Sequence, residues 1–124
     1  MNVRLAGFGG QGIVLAGSIL GQASLLDGGN ALQTQSYGSE SRGGACYSDV
    51  IITTDEILDF IPSSIDVLVA MSQPALDRFL PNLKPGGILI YDQDLVKVGG
   101  GGFQAFGLPA TIWMDLWRRC SPGA

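Results

Sequence analysis

The chain opens with a short alternation of apolar and polar side chains, Asn2 to Ala6, that runs directly into glycine. That pattern predicts a buried strand. Gly7-Phe8-Gly9-Gly10-Gln11-Gly12 follows as a turn. From Ile13 to Leu26 the apolar positions Ile13, Ala16, Leu20 and Ala23, with Ser24, recur at helical spacing, and Asp27-Gly28-Gly29-Asn30 ends the helix. Gly12, Ala16, Gly17 and Gly21 bring small residues together on its surface. Glycine inside a helix costs up to about 1 kcal/mol relative to alanine, so close packing against a sheet or another helix is the expected compensation.

Ala31 to Gln35 is a second strand candidate, and Ser36 to Gly44 a polar loop. Cys46 to Thr53 carries the strand formers Tyr47, Val50, Ile51 and Ile52 and predicts a third strand. Ile57 to Ile61 is a short element closed by Pro62. Asp66 to Met71 is nearly all apolar, the mark of a strand covered on both faces. Gln73 to Leu80 predicts a helix with Pro74 in its first turn. Leu83 to Gly87 reads as a tight turn into a last buried strand, Ile88 to Tyr91. Strands alternating with helices predict an α/β fold, an open and mainly parallel sheet with flanking helices. The domain is expected over 1–98. Four glycines, Gly99 to Gly102, then open a tail, 99–124, with no obvious place in the sheet. A helix from Pro109 would align Trp113, Leu116 and Trp117 in a stripe, so the tail is expected to be loosely held or packed on another copy of the chain.

Composition narrows the chemistry. The 124 residues suit one domain, 46% are hydrophobic and only 15% charged, which excludes a disordered chain. So apolar a surface is expected to be covered by partners. Net charge is −4 with no basic run, which argues against nucleic acid. There is no histidine, which excludes histidine-based catalysis and histidine-ligated metal. Cys46 and Cys120 form no CxxC, so neither an iron–sulfur cluster nor structural zinc is expected in this chain. Two lone thiols and no signal sequence point to the cytoplasm. The stretch 12–26 is too short and too mixed for a membrane span.

Gly7, Gly9 and Gly12 satisfy G-x-G-x-x-G between a strand and a helix. Such a loop lets a phosphate approach the backbone and meet the N–H groups of the helix start. The same glycines also serve plain strand–helix packing, and both readings stand on the residues alone. A dinucleotide site needs an acid at the end of the second strand, and here that strand ends Leu32-Gln33-Thr34-Gln35. The same gap weakens an S-adenosylmethionine enzyme, although Leu83-Lys84-Pro85-Gly86-Gly87 before an apolar strand has that look. In the polar loop Tyr37, Glu40 and Arg42 precede Gly43-Gly44. A guanidinium there suits a phosphate, a carboxylate, Glu40 or a neighbouring chain.

Gly7-Phe8-Gly9-Gly10-Gln11-Gly12 followed by Ile13-Val14-Leu15-Ala16-Gly17 resembles the gamma subunit of 2-oxoacid:ferredoxin oxidoreductases. So does Gln35-Ser36-Tyr37-Gly38-Ser39-Glu40-Ser41-Arg42-Gly43-Gly44. Asp66 to Gln73 and Gly86 to Asp92 follow in order, and the resemblance covers residues 1 to about 96. The second motif is closer to the 2-oxoglutarate and branched-chain types than to the pyruvate type. The resemblance implies a Rossmann-like gamma subunit of an enzyme that oxidatively decarboxylates a 2-oxoacid, forms acyl-coenzyme A and reduces ferredoxin. It implies alpha, beta and ferredoxin-like partner subunits, with thiamine diphosphate and iron–sulfur clusters held by those partners and coenzyme A at the complex. It makes Gly7, Gly9, Gly10, Gln11, Gly12, Tyr37, Glu40, Arg42 and Gly43 the cofactor-facing residues and leaves this chain without a catalytic residue, inactive alone. From Trp113 onward the sequence departs from the family. The alternative is a stand-alone S-adenosylmethionine- or dinucleotide-binding enzyme.

Overall fold

The computed structural model describes residues 1–8, 12–36, 46–53 and 64–109. They form β1 (Asn2–Gly7), α1 (Ile13–Leu26), β2 (Asn30–Ser36), β3 (Cys46–Thr53), β4 (Ile65–Ala70), α2 (Gln73–Phe79), a 3-10 turn (Leu80–Asn82), β5 (Leu83–Asp92) and β6 (Gln104–Leu108). The short element expected at 57–61 lies outside the described residues.

The six strands make one sheet in the order β2-β3-β1-β4-β5-β6. β1, β4, β5 and β6 pair in parallel, whereas β3 pairs antiparallel with both β1 and β2. Five strands therefore point one way and β3 alone is reversed. The sheet is mainly parallel, as the alternation of strands and helices predicts, with an antiparallel β2–β3 hairpin at one edge.

Two helices cover opposite faces of this sheet. Alternation along β1 sends Val3 and Leu5 toward α1, where they pack with Ile13 and Val50, while Ala6 joins Leu76 and Phe79 of α2 on the other face. Gly17 sets how low α1 sits. A Cβ there would run into the Ser48 hydroxyl and lie 2.9 Å from Gln33 Nε2, so the helix reaches β3 only because this position has no side chain. That is the compensation expected for glycine in the helix. The helix ends with both bonds of a Schellman motif. Gly29 N–H donates to Ser24 O at 3.1 Å and Gly28 N–H to Leu25 O at 3.1 Å, with Gly28 at φ 91°. At α2 the Ser72 hydroxyl accepts from Ala75 N–H at 3.3 Å, and proline sits in the first turn.

Two expectations need correction. The tight turn at 83–87 is part of β5. Opposite β4 the register steps from Ile65↔Leu83 to Val67↔Ile88, so β5 spends five residues where β4 spends two. Gly86, at φ 76°, absorbs the excess, and its N–H donates to Gly102 O at 2.7 Å. The tail does add to the sheet: Gln104–Leu108 pairs in parallel with Ile88–Asp92 as the edge strand β6. Backbone ladder bonds supply what its exposed, weakly patterned side chains do not announce. The expectations for 110–124, including the Trp113 stripe and Cys120, fall outside the described residues.

Candidate functional site

Parallel strands gather their carboxyl ends on one side of the sheet, where ligands of open α/β folds bind. Gly7, Ala70, Asp92 and Leu108 close β1, β4, β5 and β6 at that end. The reversed strand brings a further segment there. Gly7 stands opposite Cys46, and Ser36 opposite Tyr47. The stems of the glycine loop and of the Tyr37-to-Gly44 loop are thus juxtaposed at one end of the sheet. Of the residues singled out in the sequence, Gly7 and Gly12 are described. Gly9, Gly10, Gln11, Tyr37, Glu40, Arg42 and Gly43 lie outside the described residues.

Gly7 is buried at the end of β1. Gly12 is the N-cap of α1 at φ 78°, ψ 22°, a left-handed conformation that favours glycine. Its carbonyl accepts from Ala16 N–H at 2.9 Å, and no side chain caps the helix. Next to this end, Met71 N–H donates to Ala6 O at 2.8 Å and ties β4 to β1. Buried Asp92 accepts from Asp94 N–H at 3.0 Å and starts a turn in which Val96 N–H donates to Asp92 O at 2.9 Å. That turn reaches α2, where Gln73 Oε1 accepts from Lys97 N–H at 2.8 Å. Cys46 is half-buried and free.

The interior holds charge that the periodicity did not reveal. Arg4 Nε donates to Asp49 Oδ1 at 2.6 Å and Nη2 to Asp49 Oδ2 at 2.9 Å, with side chains only 10% and 4% exposed. The guanidinium lies 4.6 Å from the Tyr47 ring centre and 4.9 Å from that of Phe79, and the two rings meet edge to face at 5.0 Å. A charge in a strand flanked by valine and leucine was the available signal. Its partner, 45 residues away, carried none. Under α1, Gln33 Nε2 donates to Val14 O and to Ser48 Oγ, each at 3.1 Å, while its Oε1 accepts from Ser18 Oγ at 3.0 Å. Its amide is consumed in holding α1 to the hairpin. At the opposite end of the sheet, Asp66 accepts from Asn2 N–H at 2.7 Å and pairs with Lys84. Partial burial works against its charge, but the Lys84 ammonium and the Asn2 N–H outweigh it and hold its pKa below the usual aspartate value.

The topology also bears on a dinucleotide. In that fold the second strand lies beside the first and its terminal acid reaches the ribose. Here β3 stands between β1 and β2, and β2 ends without an acid. No cluster of three histidine, cysteine or acidic side chains able to hold a metal is present among the described residues. Among them no helix is long and apolar enough to cross a membrane.

A mainly parallel sheet with a helix on each face, a glycine at the N-cap of α1, and a reversed strand whose Cys46 stands opposite Gly7 at the carboxyl end of β1 defines a small α/β domain. The family model for pyruvate ferredoxin/flavodoxin oxidoreductase matches residues 2–115, and the chain belongs to that family. It is 55% identical over 98 residues to the 2-oxoglutarate synthase subunit KorC of Methanocaldococcus jannaschii, covering 77% of this chain and 51% of that one. The structure resembles the gamma subunit of a keto/oxoacid ferredoxin oxidoreductase from Geobacter sulfurreducens, with TM-score 0.73, 42% identity, and 86% of this chain and 60% of that one covered. It also shares its fold with 2-oxoglutarate:ferredoxin oxidoreductase from Magnetococcus marinus, solved with 2-oxoglutarate, coenzyme A and succinyl-CoA bound, at TM-score 0.81 and 21% identity over 95% of this chain and 21% of that one. The chain spans about half the length of the curated relative it matches. The stand-alone S-adenosylmethionine- or dinucleotide-binding reading finds no support in these likenesses.

Proposed function

We propose that this chain is the gamma part of a 2-oxoacid:ferredoxin oxidoreductase and that it works only with partner subunits. The observation that carries the reading is the family match, joined to the juxtaposition of the glycine-loop stem with the stem of the Tyr37-to-Gly44 loop. The 55% identity to a 2-oxoglutarate synthase subunit favours 2-oxoglutarate as the oxoacid. The partners are the alpha, beta and ferredoxin-like subunits, which hold thiamine diphosphate and the iron–sulfur clusters, and the complex works in the cytoplasm.

In this reading the carboxyl end of β1 meets the phosphate portion of coenzyme A. Gly7, Gly9, Gly10 and Gly12 let the anion approach the backbone, and the first N–H groups of α1 face it with the positive end of the helix dipole. Gln11, Tyr37 and Glu40 line the approach, Arg42 supplies a planar two-pronged donor, and Gly43 leaves room for it. This chain binds and orients, and the redox chemistry belongs to the partners.

The test is reconstitution. The chain is co-expressed with the thiamine diphosphate and ferredoxin-like subunits of a 2-oxoacid:ferredoxin oxidoreductase from the same source, and coenzyme A-dependent reduction of a viologen dye by 2-oxoglutarate is followed. Activity is expected in the complex and none in the isolated chain. Arg42→Lys is expected to raise the KM for coenzyme A, because it keeps the charge and loses the fork. Failure to co-purify with those subunits overturns the reading, and an Arg42→Ala complex with an unchanged KM for coenzyme A removes Arg42 from the site.

A further inference from the structure

Between Arg4 and Glu40 the only charged residue is Asp27. This stretch includes α1, whose outward side carries Leu15 at 65%, Ile19 at 58%, Leu25 at 55% and Leu26 at 89% exposure. A helix lying on a sheet normally turns charge to water on that side. Here Leu15, Ile19, Gln22 and Leu26 are spaced four, three and four residues apart. That is the narrow seam that packs against one other helix, rather than the broad stripe that lies on a sheet.

We propose that this seam is a self-association surface, on which a second copy of the chain packs its own α1 antiparallel about a two-fold axis. Three features select a second copy. The spacing four-three-four reads the same in both directions, so a reversed copy of the seam meets it in register, Leu15 against Leu26 and Ile19 against Gln22 of the other chain. The surface has no charge along α1, so a two-fold contact sets no like charges against each other. Asp27 stands at the C-cap of its own helix, against the negative end of the dipole. The antiparallel arrangement moves it beside the N-terminal turn of the partner's α1, which has no acidic residue of its own. The groove of about 200 Å³ between α1 and β2, lined by Ser18, Gly21, Gln22, Leu25, Ala31 and Gln33, adjoins the seam and accepts side chains of the second copy.

Light scattering and sedimentation of the purified chain, across roughly 10–500 μM where small interfaces dissociate, are expected to show a monomer–dimer equilibrium. Ile19→Glu and, separately, Leu26→Lys are each expected to weaken the dimer by about a hundredfold or more, because the change enters the two-fold contact twice. Circular dichroism identifies a variant that fails to fold, and Leu26→Lys, at the most exposed position, carries the test in that event. In a Cys46→Ser, Cys120→Ser background, a mixture of Leu15→Cys and Leu26→Cys chains is expected to form an intermolecular disulfide that neither forms alone. A strictly monomeric chain overturns the proposal. So does a dimer that survives both seam substitutions, or a Leu15→Cys chain that links to itself. Co-purification with other subunits reads the proposed function separately and is not affected by these outcomes.

Discussion

On one face of the sheet α1 descends through Gly17 onto Ser48 and is fastened by the neutral amide of Gln33. On the other, α2 lies over a buried ion pair, Arg4–Asp49, enclosed by Tyr47 and Phe79. The two arrangements tolerate change differently. A neutral network loses about the worth of its hydrogen bonds when cut, roughly 1 kcal/mol each. A buried ion pair that loses one member leaves an uncompensated charge in a medium that solvates it poorly. The α1 face is thus set by space and the α2 face by charge.

The largest effect is expected from breaking the charge. Asp49→Ala strands Arg4 among aromatic rings and should cost about 3–5 kcal/mol in urea-induced unfolding. The double variant Arg4→Met, Asp49→Leu should recover most of that loss, since apolar side chains of similar volume remove the stranded charge. A double variant no better than Asp49→Ala would show that the pair does more than neutralise itself.

Next comes space. Gly17→Val should cost about 1–3 kcal/mol through overpacking against Ser48 and Gln33. Gly21, in the same helix, has open room where its Cβ would stand, so Gly21→Ala should stabilise by up to about 1 kcal/mol. Opposite signs at two glycines one turn apart would show that contact, not helix propensity, decides the α1 face. A smaller loss, about 1 kcal/mol, is expected when Ser72→Ala removes the cap of α2. All three effects are read from thermal unfolding.

The smallest effect is the pH dependence of Asp66. Its pKa in the folded chain lies below the ordinary value of about 3.9. Its stabilisation is complete above that pH. It is lost as pH falls from there through the folded pKa, because the unfolded chain takes up the proton first. The partner Lys84 is half exposed, so less than about 1 kcal/mol is at stake. Lys84→Met should flatten this part of the stability profile below the ordinary aspartate pKa, measured by denaturant titration at each pH.

The succession of elements was legible in the sequence because period and punctuation are local. Helical spacing and the Asp27-Gly28-Gly29 stop mark α1, and Pro74 in its first turn marks the start of α2. The ends of β1 and β2 were legible for the same reason, to within a residue, from the glycine-rich and polar runs that follow them in the sequence. The apolar run of β4 announced a central strand. Neighbourhood was decided only in the tertiary structure. Alternation says which side chains share a face of a strand, and nothing about which strand lies beside it. That β3 turns back between β1 and β2, that Arg4 meets Asp49, and that the exposed strand 104–108 joins the sheet at its edge all depend on pairings between distant segments. Those pairings are selected by the joint fit of backbone ladders and buried surfaces, and no single stretch of chain contains that information.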